Sequence, residues 1–125
     1  MPTLTTNKRA RFDYEILEEY EAGLKLSGAE VKSIKGGHAQ IDRAFVSIDN
    51  GAAWLKGAHV SAYKPAGAQL SYDPERPRQL LLHKKEINRM IGKMKEAGLT
   101  FVPISLYTKG DLVKCSFALA RGKRK

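Results

Sequence analysis

Tyr14-Glu15-Ile16-Leu17-Glu18-Glu19-Tyr20-Glu21-Ala22-Gly23-Leu24-Lys25-Leu26 is the stretch on which the fold turns, because it can be read with two periods. Its even positions Tyr14, Ile16, Tyr20, Ala22, Leu24 and Leu26 are apolar except for Glu18, while the odd positions are mostly charged. That two-residue alternation belongs to a half-buried strand. Ile16, Leu17, Tyr20 and Leu24 also fall at helical spacing, and Glu is a good helix former. Gly23 and the alternation continuing past it favour a long strand.

Upstream, residues 1–12 end in Asn7-Lys8-Arg9-Ala10-Arg11, a basic segment with little to bury, read as an arm leading into a single domain over 13–125. Downstream, Ala29 to Lys35 places Val31 and Ile34 three apart and stops at Gly36-Gly37, which suits a short helix showing Glu30, Lys32 and Lys35 to solvent. Ala44 to Ile48 and Ala53 to Tyr63 alternate like strands across Asp49-Asn50-Gly51, a tight-hairpin signal. Pro65, Gly67, Pro74 and Pro77 then mark a long loop. Ile87, Met90, Ile91, Met94 and Ala97 recur at helical spacing from His83 to Ala97, with Gly98 at the C-terminal position. The remainder reads as a second hairpin, with Val102, Ile104 and Leu106 on one face, a turn at Lys109-Gly110-Asp111, and Val113, Cys115, Phe117 and Leu119 on one face again.

Five or six mostly antiparallel strands with one short and one long helix suit a mainly β fold, a small OB-type barrel. Pattern alone would also allow an open α+β sheet.

The formal net charge is +9 and unevenly spread. Residues 1–82 carry 11 Lys/Arg against 10 Asp/Glu, whereas residues 83–125 carry 11 against 3. Basic clustering of that kind is the footprint of a polyanion partner. No apolar run approaches the roughly 20 residues of a membrane helix, and the N-terminus lacks the order of a secretory signal, so a cytoplasmic protein with no membrane partner is expected. The single cysteine, Cys115, reads as a small buried apolar residue.

Catalytic templates fail. His38, His59 and His83 lack metalloenzyme spacing, and no phosphate-binding loop, dinucleotide fingerprint or nucleophile elbow is present. Asp13, Glu15, Glu18, Glu19 and Glu21 could serve a metal-dependent nuclease, but on a strand the odd-numbered members share a solvated face. No metal, cofactor, small-molecule substrate or enzymatic activity is expected. Phe12, Tyr63, Tyr72 and Tyr107 are the aromatics least committed to a core and hence available for stacking on unpaired bases.

Seven ordered blocks carry a resemblance: Asn7-Lys8-Arg9-Ala10-Arg11, Tyr20-Glu21-Ala22-Gly23, Gly28-Ala29-Glu30-Val31-Lys32-Ser33, Gly57-Ala58-His59-Val60, Leu80-Leu81-Leu82-His83-Lys84, Val102-Pro103-Ile104-Ser105-Leu106-Tyr107 and Ala120-Arg121-Gly122-Lys123. In order and spacing they resemble the SmpB family of SsrA-binding (tmRNA-binding) proteins from Asn7 to the last residue. The resemblance implies an OB-type barrel that is not an enzyme. It also implies binding of the tRNA-like domain of tmRNA around its D-loop and elbow, and delivery to stalled ribosomes for trans-translation and tagging of incomplete chains.

Residue by residue, the resemblance implies Asn7, Glu21 and Leu81 as RNA-contacting positions. Arg9, Arg11, Lys32, Lys84 and Arg121 support them as phosphate contacts. Gly122 and Lys123 match a tail-proximal element. Family members continue into a long basic tail where this chain ends at Gly122-Lys123-Arg124-Lys125, so support of the ribosomal step is expected to be lacking. Gly36 and Asp42-Arg43-Ala44 are smaller departures from the family pattern. A generic single-strand-binding OB protein or ribosomal protein fits the charge equally well, and competition with an unstructured oligonucleotide separates it from the leading reading.

Overall fold

A computed structural model describes residues 3–63 and 71–123. The elements run β1 (Thr3–Thr6), α1 (Ala10–Asp13), β2 (Tyr14–Leu24), α2 (Gly28–Lys35), β3 (Ala39–Gln40), β4 (Phe45–Asp49), β5 (Ala52–Lys56), β6 (His59–Val60), β7 (Arg78–Leu81), α3 (Lys84–Met94), β8 (Leu99–Lys109) and β9 (Leu112–Gly122). Seven strands form one antiparallel sheet in the order β1-β8-β9-β2-β7-β5-β4, while β3 and β6 pair separately. β4 also lies against β8 without a ladder between them, so the sheet curls round its core rather than lying open. The architecture is mainly β with flanking helices, as expected.

β2 is the strand foreseen at Tyr14, but its alternation is broken once. Ile16 pairs with Ala120 and Glu18 with Leu119, leaving Leu17 as an unpaired bulge residue. A one-residue slip moves every following side chain to the other face. Tyr14 and Ile16 therefore pack with Ala10, Val102, Ile104, Ala118 and Ala120 on the outer face. Tyr20, Ala22 and Leu24 join Phe101, Phe117 and Leu119 in the main core inside. The odd-numbered acids do not share one face either: Glu15 pairs with Arg121, whereas Glu19 and Glu21 pair with Ala118 and Ser116 on the opposite side. A second bulge between Pro103 and Ser105 separates Leu106 from Val102 and Ile104 in the same way, correcting their expected common face.

The rings of Tyr20 and Phe117 stack at 5.6 Å, with Phe101 edge-on to both. α3 closes one side of the core with Ile87 and Met90, and at its first turn the His83 backbone N–H donates to Glu86 Oε1 at 3.1 Å.

Three further expectations are corrected. Residues 3–12, expected to have little to bury, pair and pack instead: β1 runs along β8 and Ala10 is buried in the outer cluster. Ala53 to Tyr63 is two strands, not one, because Gly57 (φ 76°) turns the chain from β5 into β6. Glu30 does not face solvent. It is 1% exposed, with Arg76 and Arg78 on its carboxylate, Arg78 Nη2 to Oε2 at 2.7 Å, and the Ser27 backbone N–H donating to Oε1 at 3.0 Å. Desolvation works to raise its pKa. The bonds from Arg76, Ser27 and Arg78 outweigh that and hold it at about 2.

The Asn50-Gly51 hairpin forms as expected, with φ of 52° and 77° at its two central residues. Part of the long loop, residues 64–70, lies outside the described residues.

Candidate nucleic-acid interface

The residues singled out in the sequence fall into three groups. The first lies where α1, the start of β2 and the end of β9 meet. Asn7 is buried beneath it: its Nδ2 donates to the Pro103 carbonyl at 3.0 Å and its Oδ1 accepts from the Arg9 backbone N–H at 3.2 Å. The amide thus fixes the turn into α1 instead of standing free on the surface.

Above it, Arg9 lies 3.8 Å from Asp13, Arg11 3.3 Å from Glu19 and Arg121 3.7 Å from Glu15, all with exposed side chains. Lys123 closes the group, its Nζ donating to the Arg11 carbonyl at 2.9 Å and its backbone N–H to the Asp13 carbonyl at 2.9 Å. Gly122 pairs with Tyr14 at the end of the ladder. Phe12, beside them on α1, is 75% exposed.

The second group occupies the outer face at the other end of β2, about 20 Å along the strand from Glu15 at roughly 3.3 Å per residue. Tyr107 pairs with Lys114, Lys114 with Gly23, and Gly23 with Leu81, a single row across β8, β9, β2 and β7. Glu21 stands next to this row on the same face. It accepts a hydrogen bond from the Tyr107 hydroxyl and faces Lys109 Nζ at 3.4 Å and Lys114 Nζ at 4.0 Å. The Tyr107 hydroxyl, followed by the two lysines, holds the Glu21 carboxyl below its ordinary pKa. Burial and the carboxylate push the Tyr107 phenol upwards.

Leu81 is 54% exposed beside them, and Lys84 opens α3 three residues further on. Glu21 and Leu81, 60 positions apart in the chain, thus share one surface with two lysines. Carboxylate, phenol, ammonium and an exposed apolar side chain together can accept from a base edge, neutralise phosphate and pack against a ring.

The third group is Lys32 on α2, whose Nζ sits 5.7 Å above the Tyr63 ring. It belongs to neither of the other two. Tyr72, read as free to stack, is committed elsewhere: its hydroxyl donates to the Val60 carbonyl at 2.7 Å and accepts from Arg78 at 3.0 Å.

Lys109 and Lys114 were not among the candidate contacts, and Tyr107 was one only as an aromatic available for stacking, not as a hydrogen-bond partner of Glu21. Parity could have found two of them. In a hairpin whose inward residues include Leu106 and Cys115, Tyr107 and Lys114 must point outward, and their register makes them a cross-strand pair.

The acids at Asp13, Glu15, Glu18, Glu19 and Glu21 are dispersed among basic or hydroxyl partners, Glu18 taking the Tyr20 hydroxyl at 2.5 Å. Among the described residues no three His, Cys, Asp or Glu side chains are placed to hold a metal. Cys115 is fully buried, and desolvation pushes its thiol up to about 12. No helix among the described residues is long and apolar enough to cross a membrane.

Comparison with known proteins decides the family: the model described as SmpB protein matches residues 4–125. The chain belongs to the SmpB family. This SmpB-family chain is 50% identical over 121 residues to the SsrA-binding protein of Gloeothece citriformis, covering 97% of this chain and 78% of the relative. To the SsrA-binding protein of Sulfurihydrogenibium sp. it is 51% identical over 122 residues, covering 98% and 80%. Among solved structures it matches a chain from "tmRNA-SmpB: a journey to the center of the bacterial ribosome" with a TM-score of 0.78 and 42% identity, over 99% of this chain and 86% of that one.

Proposed function

We propose that this protein binds the tRNA-like domain of tmRNA and delivers it to stalled ribosomes for trans-translation, acting as a binding protein and not as a catalyst. The observation that carries the reading is the outer face on which Glu21, Tyr107, Lys114 and Leu81 converge, within a chain of the SmpB family. The names of its relatives, SsrA-binding proteins, and of the tmRNA-SmpB ribosome structure it matches support the partners.

On this reading the lysines and arginines contact phosphate, and Glu21 and Leu81 contact a base or ribose. A bare carboxylate would repel RNA. Here two ammonium groups flank it, so the patch as a whole remains cationic while Glu21 still offers an acceptor to base N–H groups. Asn7 acts by holding α1 and presenting Arg9, and Arg11, Arg121, Lys32 and Lys84 add phosphate contacts.

Hydroxyl-radical footprinting of the protein on tmRNA tests the proposal. Protection confined to the D-loop and elbow of the tRNA-like domain is expected. Protection scattered over single-stranded regions would instead favour a general single-strand binder.

A further inference from the structure

We infer that Trp54 is a stacking platform for one unpaired base, with Lys25 and Arg76 beside it for the adjoining phosphates, at the β4–β5 end of the sheet and apart from the Glu21 cluster. The inference rests on the proposed function and deepens it.

Trp54 is the chain's only tryptophan and stands half-buried on β5, between Ala53 and Leu55, which turn into the core. It therefore points outward. Its cross-strand neighbours are Ser47 on β4 and Gln79 on β7. The Lys25 backbone N–H donates to the Gln79 carbonyl at 3.0 Å, which carries the row on to the residue just past β2. None of those three neighbours is a large apolar side chain. Among the described residues Trp54 joins neither hydrophobic cluster and pairs with no other ring. Core packing thus gives no reason for an indole here, whereas tryptophan is among the residues that anchor binding surfaces.

The surface is concave on both flanks of the ring. One hollow of about 430 Å³ lies between Trp54, Ala52, Asn50 and Pro77, and another of about 360 Å³ between Trp54, Lys25, Leu26, Arg76 and Gln79. Charge is divided unevenly between them. In the first, Lys56 is neutralised by Asp49 at 2.5 Å. In the second, Lys25 and Arg76 form part of the wall and no carboxylate does. Arg76 reaches down to buried Glu30, but Arg78 pairs with the same carboxylate, so the cluster keeps one net positive charge where the Arg76 side chain is 38% exposed.

The matching ligand is flat and anionic at once, which describes a nucleotide: its base stacks on the indole and its phosphates meet the two cations. Glu21 lies about 16 Å away, two strand spacings across the sheet and four residues along β2 from Lys25. One base does not touch both, so Trp54 takes a nucleotide of its own.

Because Trp54 is the only tryptophan, its fluorescence reports on this site alone. Emission is followed while the full chain is titrated with tRNA-like domain RNA, an unstructured oligonucleotide and polyglutamate. Affinity for the tRNA-like domain RNA and the unfolding midpoint are measured for Trp54→Ala, Trp54→Phe and Glu21→Lys. Saturating tRNA-like domain RNA is expected to quench the emission and shield it from acrylamide. Trp54→Ala should lose on the order of tenfold in affinity, the scale of one lost stacking contact, while Trp54→Phe keeps most of it. If Glu21→Lys weakens binding but emission stays unmoved and Trp54→Ala binds like the unmodified protein, the platform is wrong and the proposed function stands. If neither variant alters affinity and the oligonucleotide binds as well as the folded RNA, the proposed function fails and the platform falls with it. Quenching by polyglutamate but not by RNA would make the hollow a docking site for an acidic protein segment and overturn the inference. A lower midpoint in Trp54→Ala together with unmoved emission in the unmodified protein would leave Trp54 a packing residue, which also overturns it.

Discussion

Two carboxylates of the same type do opposite things in this molecule. Glu30 is buried between two arginines and bonded at both oxygens, while Glu21 is exposed and held by a phenol and two lysines. Because the folded pKa of Glu30, about 2, lies below its ordinary 4.5, its contribution to stability is fully present above pH 4.5 and is lost as the pH falls through 2. The interval corresponds to roughly 3 kcal/mol. Glu30→Gln should lower the urea unfolding free energy near neutrality by about 3 kcal/mol, since it leaves Arg78 buried without a countercharge. It should also flatten the fall in stability between pH 5 and 2.

Tyr107→Phe removes the donor that does most to keep Glu21 ionised, so the carboxyl pKa read by NMR titration should rise towards 4.5. Affinity for the RNA should fall severalfold with little change in unfolding midpoint, and the change should vanish in a Glu21→Gln background. Glu30 was misread from sequence because its partners lie 46 and 48 positions away, among prolines that said only "loop". A charged residue in a short helix looks solvated until the distant arginines are in place.

Among the elements, what the sequence showed and what it hid divide along one physical line. Alternation reveals that a strand exists but not where its register slips, since a bulge adds one residue and leaves the flanking pattern intact. Leu17 illustrates this: apolar and set between Ile16 and Glu18, it suits the edge of either face, and only pairing with β9 reveals the change of side. Short strands such as β3 and β6 carry too few residues for any periodicity to show. Gly57 is the element-scale hinge between β5 and β6. A Cβ there would lie 2.8 Å from the Arg43 carbonyl oxygen at a φ of 76°. Gly57→Ala should therefore cost about 2 kcal/mol or more in urea unfolding, combining positive-φ strain with overpacking. RNA affinity per folded molecule should stay unchanged, because the β3–β6 ribbon lies apart from the Glu21 face.

For the molecule as a whole, the charge asymmetry visible in the sequence located a polyanion partner only coarsely. Folding redistributes those charges: Lys109 and Lys114 from the basic C-terminal third meet Glu21, and Arg121 and Lys123 meet the start of β2 and α1. On the proposed function, recognition would rest on two clusters at opposite ends of β2, each mixing both signs of charge. Binding should weaken with salt, with a log–log slope of about −0.7 per neutralised phosphate if the single-strand value applies. Glu21→Lys should reduce specific affinity although it makes the protein more basic, because it removes the acceptor and repels Lys109 and Lys114.

Competition titration of labelled tRNA-like domain RNA against unlabelled tRNA-like domain and against an unstructured oligonucleotide of equal length, at one salt concentration, puts the proposed function to its most direct test. The folded RNA should displace the label at concentrations at least about a thousandfold lower, in keeping with specific over non-specific nucleic-acid binding. Displacement at equal concentrations would contradict specific recognition and leave a generic basic RNA binder.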